Sequence, residues 1–337
     1  MSTDPTMKID SIGIVGAGAW GTALAQTLAA AGRGVVIWAH EPETVAEINT
    51  RHTNSVFLDG VPLAPTIRAT GKLAEIAGAD AILLVPPAQH LRRIAGELGA
   101  HTRAGQPVVV CAKGIEQASG KRLGEVLGET LPGVLAGVLS GPSFAADVAR
   151  GLPAALTIAC ADEAVGRVLA ERLGYRNFRL YWSGDMIGVE LGGAVKNVLA
   201  IAAGIVDGRR LGASAHAALV TRGFAELRRF GAALGARPET LTGLSGLGDL
   251  LLTCGSAQSR NMSLGRALGQ GAALADVLGG RRSVAEGVYT AAAVAKVASE
   301  RGIEMPICSA VAGIVAGQVG VEAAIDALLS RPFKAES

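Results

Sequence analysis

The pattern of hydrophobic positions changes about halfway along the chain. In the first half, short continuous apolar runs alternate with longer segments of helical character. Such runs predict strands that are buried on both faces, because half-exposed strands would alternate apolar and polar residues. The predicted strands cover residues 11–15, 35–39, 81–85, 108–111, 134–140, 155–159 and 178–182.

After residue 182 the strand pattern stops, and the rest of the chain has helical periodicity. Strands that alternate with helices predict a doubly wound parallel sheet, whose ligands bind at the carboxyl ends of the strands. The second half predicts a separate, mostly α-helical domain. Its predicted helices cover residues 187–207, 213–234, 264–268, 274–278, 289–301, 310–315 and 321–329.

A glycine-rich turn follows the first predicted strand. Gly16, Gly18 and Gly21 lie between that strand and an Ala- and Leu-rich helix predicted over residues 22–31. In this motif the first glycine allows a tight turn, the second lets the backbone approach a pyrophosphate, and the third lets helix and strand pack closely. Free N–H groups at the helix N-terminus bind the phosphates. The turn therefore predicts dinucleotide binding.

The first helix of the second half is apolar nearly all round, as buried helices are, yet it carries Lys196. Three interpretations compete: a membrane span, a structural ion pair and a catalytic lysine that faces a cleft. A span is disfavoured, because the apolar run is short and contains the lysine. We expect an α/β Rossmann-type dinucleotide-binding domain over residues 8–189 and an all-α domain over residues 190–331. The small residues on the lysine's side are Gly192, Gly193, Ala200, Ala203 and Gly204.

Composition limits the classes of function. The chain has 337 residues, of which 50% are hydrophobic and 18% charged, as expected of a globular protein with two cores. A formal net charge of +2 leaves no basic surplus for nucleic acid or an anionic membrane. The four cysteines are scattered, which suits reduced thiols in the cytoplasm, and the histidines lack metal-binding spacing. We expect a cytoplasmic protein with no signal peptide, no integral membrane segment and no metal.

Polar residues follow two of the later predicted strands. Lys113 comes after one strand end, where a cation can reach a ligand phosphate. Gly141 and Ser143 come after another and open a helix whose free N–H groups can bind an oxyanion. A surface lysine and a plain helix cap are the structural alternatives for Lys113 and Ser143.

Two glycine-rich loops are predicted between the helices. The first, residues 242–251, carries Asp249 in an apolar setting, where a carboxylate needs a cation such as the lysine of the junction helix. The second ends in Ser259, Arg260 and Asn261. Ser259 can cap the next helix, while the other two side chains can donate hydrogen bonds to a phosphate.

The end of the second predicted strand bears on cofactor identity. An NAD-binding unit usually has an acidic residue there for the ribose 2′-hydroxyl. His40 occupies that position and Glu41 comes one residue later. A histidine can tolerate a 2′-phosphate without providing the fork of an arginine, so both NAD and NADP stay open.

Segments along almost the whole chain occur in the order found in the bacterial, soluble NAD(P)-dependent glycerol-3-phosphate dehydrogenases, which this chain closely resembles. The resemblance implies a 6-phosphogluconate-dehydrogenase-like pairing of a Rossmann domain with an α-helical domain, and a homodimer. Three positions depart from the family pattern: His40, where arginine is common, Ala19, where serine is frequent, and Gly255, where threonine is frequent. The matching segments are 16–25 (GAGAWGTALA), 112–116 (AKGIE), 140–145 (SGPSFA), 190–197 (ELGGAVKN), 243–250 (GLSGLGDL), 259–261 (SRN) and 285–287 (AEG).

The resemblance implies reversible reduction of dihydroxyacetone phosphate by NADH or NADPH to sn-glycerol 3-phosphate, the backbone for phospholipid synthesis. It implies that Lys196 donates and accepts the proton, with Asp249 orienting it. The residues implied to contact the substrate are Lys113, Gly141, Ser143, Lys196, Asp249, Ser259, Arg260 and Asn261. Those for the cofactor are Gly16, Gly18, Ala19, Trp20, Gly21, His40, Lys113, Ala145, Arg260, Val284 and Glu286.

Other functions remain open at this point. A β-hydroxyacid or 6-phosphogluconate-type dehydrogenase shares the two-domain plan and a lysine on the junction helix, but the 259–261 segment argues against it. A non-catalytic nicotinamide-binding sensor would need the glycine turn without Lys196 and Asp249. A flavoprotein is disfavoured, because no second FAD-type segment is evident.

Overall fold

The structure is a computed structural model that describes residues 7–279, 285–332 and 335. Val284, implied above to contact the cofactor, lies outside the described residues. Within them, the first half of the chain forms one eight-stranded sheet. Its strands are β1 (Ser11–Val15), β2 (Gly34–Trp38), β3 (Arg68–Thr70), β4 (Ala81–Leu84), β5 (Pro107–Val110), β6 (Leu135–Ser140), β7 (Ala154–Cys160) and β8 (Phe178–Ser183).

Helices cover both halves of the described chain. In the first half they are α1 (Ala19–Ala30), α2 (Pro42–Arg51), α3 (Leu91–Gly99), α4 (Leu123–Thr130), α5 (Ala145–Ala149) and α6 (Glu163–Leu173), with short 3-10 turns at Leu73–Glu75 and Ala88–His90. In the second they are α7 (Met186–Gly208), α8 (Ala213–Ala233), α9 (Pro238–Thr242), α10 (Asp249–Gly255), α11 (Arg260–Gly269), α12 (Leu274–Gly279), α13 (Glu286–Glu300), α14 (Pro306–Val315) and α15 (Val321–Leu329). A π-helical turn at Leu244–Gly248 precedes α10.

The strand order is β3-β2-β1-β4-β5-β6-β7-β8. The chain reverses its direction across the sheet between β1 and β4, which is where ligands bind in doubly wound sheets. All predicted strands are present, but the expectation of a parallel sheet was wrong at one pair, since β6 and β7 are antiparallel. The helix between them, α5, has only five residues, whereas a parallel connection needs a crossover long enough to return the chain to the same end.

The structure also corrects the sequence interpretation at two further places. Strand β3 was not predicted, because its sequence Arg-Ala-Thr contains no apolar run. The segment 242–251 was predicted as a loop because of its glycines, yet it forms the π-helical turn and the start of α10. Its glycines serve close packing: a Cβ on Gly246 would lie 1.9 Å from the carbonyl oxygen of Leu241.

Helix α7 is the centre of the second half. By length and composition it passes as a membrane span, but its most apolar stretch is entirely buried within the protein. Its small residues allow close backbone approach, as predicted: a Cβ on Gly192 would lie 2.4 Å from Ser245 O, and one on Gly204 would lie 2.1 Å from Met262 O. Lys196 projects from this closely packed side.

We propose that the two domains, residues 8–189 and 190–331, meet within α7. Val189, near the start of the helix, packs in a core formed otherwise by the sheet and its helices. From Leu191 to Ile205, the buried apolar side chains of α7 pack in the core of the second half. The junction helix is therefore shared between the two cores, which holds Lys196 close to the sheet.

Candidate active site

A cleft of about 880 Å³ lies at the carboxyl ends of the central strands, between the sheet and the helices of the second half. Most of the sequence-predicted residues line it. Gly141 and Asp249 do not, but they contact lysines that do. The predicted residues that line the cleft are Gly16, Gly18, Ala19, Trp20, Gly21, His40, Lys113, Ser143, Ala145, Lys196, Ser259, Arg260, Asn261 and Glu286.

A buried carboxylate lies between two lysines beside this cleft. Asp249, the first residue of α10, is 0% exposed. Its Oδ1 accepts a hydrogen bond from Lys196 Nζ at 2.5 Å, and its Oδ2 accepts one from Lys113 Nζ at 2.6 Å. Lys113 Nζ also donates to the carbonyl oxygen of Gly141 at 3.1 Å. With both lysines protonated, the cluster carries a net positive charge, which suits a negatively charged ligand.

The pKa of Lys196 is lowered from its usual value of 10.5 to about 8. Loss of hydration on burial is the largest cause, and the charge of Lys113 acts in the same direction. The carboxylate of Asp249 opposes both by favouring the ammonium. Lys196 is therefore mainly protonated at neutral pH but loses its proton slightly above it, as a group that must both donate and accept protons requires.

Thr253 completes the cluster. Lys196 Nζ donates to Thr253 Oγ1 at 2.8 Å, and that oxygen lies 3.3 Å from Asp249 Oδ1. The sequence interpretation missed Thr253 because it placed Asp249 in a loop that ended at residue 251 and predicted no helix from there to Thr253. Residues four apart share a face of a helix, so a helix predicted over residues 249–253 would have placed Thr253 beside Asp249.

The segment that opens α11 forms another part of the cleft. Ser259 caps the helix as predicted, with its Oγ accepting a hydrogen bond from Met262 N at 3.2 Å. Asn261 is buried and already bonded, donating to Asn197 Oδ1 at 2.9 Å and accepting from Gly287 N at 3.0 Å. Its side chain thus connects α11 with the residue next to Lys196, a link that the sequence did not indicate.

The loop after β6 supports Lys113. Gly141 has φ +152°, and a Cβ there would lie 2.8 Å from Leu156 Cα, so the close approach requires glycine. Ser143 Oγ donates to the same Gly141 carbonyl at 3.3 Å. The hydroxyl that the sequence offered as a helix cap is directed here to the carbonyl that Lys113 also binds. Ala145, the first residue of α5, lines the cleft beside this loop.

The glycine turn fits a dinucleotide phosphate. Gly16 has φ +115°, and a Cβ on Gly21 would lie 1.9 Å from Gly16 O, so both positions require glycine. Gly18 has no neighbouring atom where its Cβ would be, which leaves the backbone open for close approach. Gly18 is also the N-cap of α1 and offers no side-chain cap to the first helical N–H groups. These N–H groups can bind a pyrophosphate.

Two buried polar atoms of residues that line the cleft also suit a bound cofactor. Among the residues that the structure describes, Trp20 Nε1 and Glu286 Oε2 find no hydrogen-bond partner. The other carboxylate oxygen of Glu286 accepts from Ala88 N at 3.0 Å, across the cleft in the sheet domain. Burial raises the pKa of Glu286, while the backbone bond and the charge of Arg260 act in the opposite sense. A nicotinamide dinucleotide carries amide and hydroxyl groups that can satisfy such atoms.

His40 lies at the rim of the cleft. It is exposed, and its ring centroid is 6.2 Å from that of Trp38. Glu41 also lines the cleft at this point and precedes α2 as its N-cap. Both an imidazole and a carboxylate are thus available near the expected ribose position, so the geometry does not select between NAD and NADP. Among the described residues, no group of three or more His, Cys, Asp or Glu side chains is placed to hold a metal ion.

Comparison with known proteins identifies the family. Models for the N-terminus and the C-terminus of NAD-dependent glycerol-3-phosphate dehydrogenase match residues 11–166 and 185–326. Relatives named glycerol-3-phosphate dehydrogenase (NAD(P)+) include one from Parvibaculum lavamentivorans, 60% identical over 98% of this chain and 100% of its own, and one from Caulobacter vibrioides, 58% identical over 98% and 100%.

Solved structures agree with these relatives. A glycerol-3-phosphate dehydrogenase from Coxiella burnetii has a TM-score of 0.92 at 39% identity, covering 96% of this chain and 100% of that one. A D-mandelate dehydrogenase with NADH, at a TM-score of 0.63 and 16% identity, shares the fold alone. The alternative dehydrogenase classes and the non-catalytic sensor are therefore not favoured. The chain belongs to the NAD-dependent glycerol-3-phosphate dehydrogenase family.

Proposed function

We propose that the protein catalyses the reversible reduction of dihydroxyacetone phosphate to sn-glycerol 3-phosphate with NADH or NADPH. The observation that carries this proposal is the cluster of Lys196, Asp249 and Lys113 beside a cleft that also contains the glycine turn. The cofactor supplies the hydride, and the protein must align it with the ketone and manage the proton.

Lys196 is the proposed proton donor. Its ammonium can polarise the ketone, stabilise the developing alkoxide and then donate its proton to that oxygen. In the oxidative direction the neutral amine accepts the proton from the alcohol. Asp249 and Thr253 hold Nζ in one position, since they occupy two of its three donor hydrogens. The third is left for the substrate oxygen.

The proposed phosphate contacts at the start of α11 come from Arg260, from the Ser259 hydroxyl and from the amide N–H of Asn261 that does not bond Asn197. Further contacts come from Lys113 with Gly141 and Ser143. The helix N-terminus adds a partial positive charge to this region. Lys113 has a second effect, because its charge near Lys196 favours release of the proton. A substrate phosphate that binds Lys113 would neutralise that charge. It would thereby raise the pKa of Lys196 and favour its ammonium form in the complex.

A panel of assays tests the proposed reaction. We expect dihydroxyacetone phosphate to support oxidation of NADH, NADPH or both, and sn-glycerol 3-phosphate to support the reverse reaction. 3-Hydroxyacids and 6-phosphogluconate serve as controls for the alternative dehydrogenases and should give no turnover. Cofactor binding without turnover on any of these substrates would favour the sensor instead. Rates measured separately with NADH and with NADPH would give the cofactor preference that His40 leaves open.

The rate of reduction should depend on pH through Lys196. Because the pKa of this lysine is about 8, kcat/KM for dihydroxyacetone phosphate should be level near neutrality and fall as pH rises through that value. The oxidative kcat/KM should rise over the same range and level off above it. Both profiles are measured at fixed ionic strength. A reductive rate that stays level far into the alkaline range would contradict the assignment of the proton donor.

Replacing Arg260 with alanine should weaken recognition of the phosphate. We expect kcat/KM for dihydroxyacetone phosphate to fall by about 100-fold, since hydrogen bonds to a charged group contribute about 1.5–3 kcal/mol each. With the cofactor saturating, so that the implied cofactor contact of Arg260 does not limit the rate, dihydroxyacetone, which lacks the phosphate, should lose little. Arg266→Ala on the same helix is a matched control, because Arg266 pairs with Asp207 at 2.5 Å and does not line the cleft. Equal losses with both ketones would argue against a phosphate contact.

We further propose that the enzyme is a cytoplasmic homodimer and that its product serves glycerophospholipid synthesis, as the resemblance to the bacterial biosynthetic enzymes implies. The molar mass of the purified protein in solution, measured by light scattering, tests the dimer. Growth of a depleted strain that recovers on added glycerol phosphate would support the biosynthetic role.

A further inference from the structure

A buried asparagine outside the cleft holds the backbone of the glycine turn. Asn54 follows α2 and is only 1% exposed. Its Nδ2 donates to the carbonyl oxygen of Ala17 at 2.9 Å and to Oγ1 of Thr22 at 2.8 Å. Thr22 Oγ1 in turn donates to the same carbonyl at 3.2 Å. Two side chains, one from α1 and one from the segment after α2, therefore hold a single carbonyl oxygen.

That carbonyl controls a backbone donor of the turn. The carbonyl of Ala17 and the N–H of Gly18 belong to one planar trans peptide unit, so they point in opposite directions. Because Asn54 and Thr22 bind the carbonyl from the buried side, the Gly18 N–H is directed to the other side. Gly18 itself lines the cleft. Its N–H therefore belongs with the donors that can face a pyrophosphate.

The segment that carries Asn54 is itself anchored. Glu47 on α2 accepts hydrogen bonds from Ser55 N at 2.9 Å and from Thr53 Oγ1 at 2.8 Å. These bonds, led by that of the Ser55 N–H, lower the pKa of Glu47. The residues that follow, beginning with Val56, line the cleft. The segment thus runs from a fixed point on α2, past the glycine turn, to the cleft wall.

We propose that Asn54 is a positioning residue for the dinucleotide: it fixes the Ala17–Gly18 peptide plane so that the Gly18 N–H meets the cofactor pyrophosphate. This inference rests on the proposed binding of NAD(P)H at the glycine turn. Asn54 acts through the backbone and does not itself contact the cofactor, so its effect belongs to cofactor affinity and not to the proton-transfer step.

The test is the affinity of Asn54→Ala for NADH and NADPH, measured by fluorescence titration, together with kcat at saturating cofactor. Removal of both Nδ2 hydrogen bonds frees the peptide plane, and we expect the Kd of each cofactor to rise about tenfold while kcat changes little. Thr22→Val, which removes the other donor to the same carbonyl, should shift Kd in the same direction. Thr22→Ser keeps the hydroxyl and should restore the parent affinity.

Asn49→Ala is the matched control for a structural effect. Asn49 lies on α2 and also bonds a backbone, donating to Ala69 O at 2.9 Å and accepting from Ala69 N at 2.8 Å, but it ties α2 to β3 and does not touch the glycine turn. It should lower the melting temperature and leave cofactor Kd unchanged. If Asn54→Ala behaves in the same way, the inference is overturned. If the parent protein binds neither cofactor, the proposed function fails first.

Discussion

Replacing Lys196 with methionine should lower turnover of dihydroxyacetone phosphate by about three orders of magnitude and leave cofactor affinity unchanged, since a positioned acid or base contributes about 10²- to 10⁴-fold. Methionine keeps much of the side-chain volume of the buried lysine but lacks the ammonium group that donates the proton. Lys196 belongs to the helical side of the cleft and the glycine turn to the sheet side, so the turn should still bind the dinucleotide. Steady-state rates and a cofactor titration on the same preparation separate the two effects.

The variant is expected to fold because Asp249 keeps a counter-charge. Removal of one member of a buried ion pair usually leaves an uncompensated charge, which costs about 3–5 kcal/mol. Here Lys113 Nζ remains 2.6 Å from Asp249 Oδ2. Lys296→Met, on the exposed side of α13, is the matched control and should retain parent activity. Near-normal turnover by Lys196→Met would remove the lysine from the mechanism.

Lys196→Arg distinguishes charge from proton transfer. A guanidinium keeps the positive charge but does not give up a proton near neutral pH, because its pKa exceeds about 12. We expect it to rescue little of the turnover. Recovery to parent rates would indicate that the position needs only a cation, with the proton supplied from elsewhere.

The sequence predicts the strands of this fold only where apolar residues form a continuous run. The strands of the sheet core are nearly unbroken apolar runs, so each was predictable. Strand β3 is held by its edge pairing with β2, from Val36↔Arg68 to Trp38↔Thr70, and not by its own hydrophobicity, so nothing in its sequence marked it. The antiparallel direction of β7 depends on the length of a crossover, a property of the assembled sheet.

The candidate site shows the same division. Motif residues such as Gly16 and Lys196 were predictable because each is unusual where it stands: glycine at a turn, a charge in an apolar helix. Residues that act through partners were not. Thr253 and Asn54 are ordinary polar residues until the fold brings them to Lys196 and to the Ala17 carbonyl. Lys113 follows a strand end, as the sequence indicated, but its pairing with Asp249 was not foreseen.

The carboxylate of Asp249 is shared by Lys196 and Lys113, so substitutions of Asp249 and of Lys113 should change the pKa of Lys196 in opposite directions. Asp249 raises the pKa of Lys196 and Lys113 lowers it, with burial the largest cause of the overall decrease. Asp249→Asn should therefore move the break in the reductive pH profile from about 8 to a value about one to three units lower, the usual effect of losing an opposite charge at this distance. Activity near neutral pH should fall accordingly, because little ammonium is left to donate.

Lys113→Met should move the same break above 8, since Lys196 then has the carboxylate of Asp249 to itself. We expect both variants to lower the rate, because Asp249 bonds Lys196 and Lys113 is proposed to bind the substrate phosphate. The rate alone therefore does not separate a specific effect from a damaged site. The position of the break does, because misfolding or misplacement lowers the whole profile without shifting it. Profiles of kcat/KM for dihydroxyacetone phosphate, collected for the parent and both variants, provide the measurement. Breaks that stay at the parent value in both, or that shift in the same direction, would refute a proton donor whose acidity is set by the balance of Asp249 against Lys113.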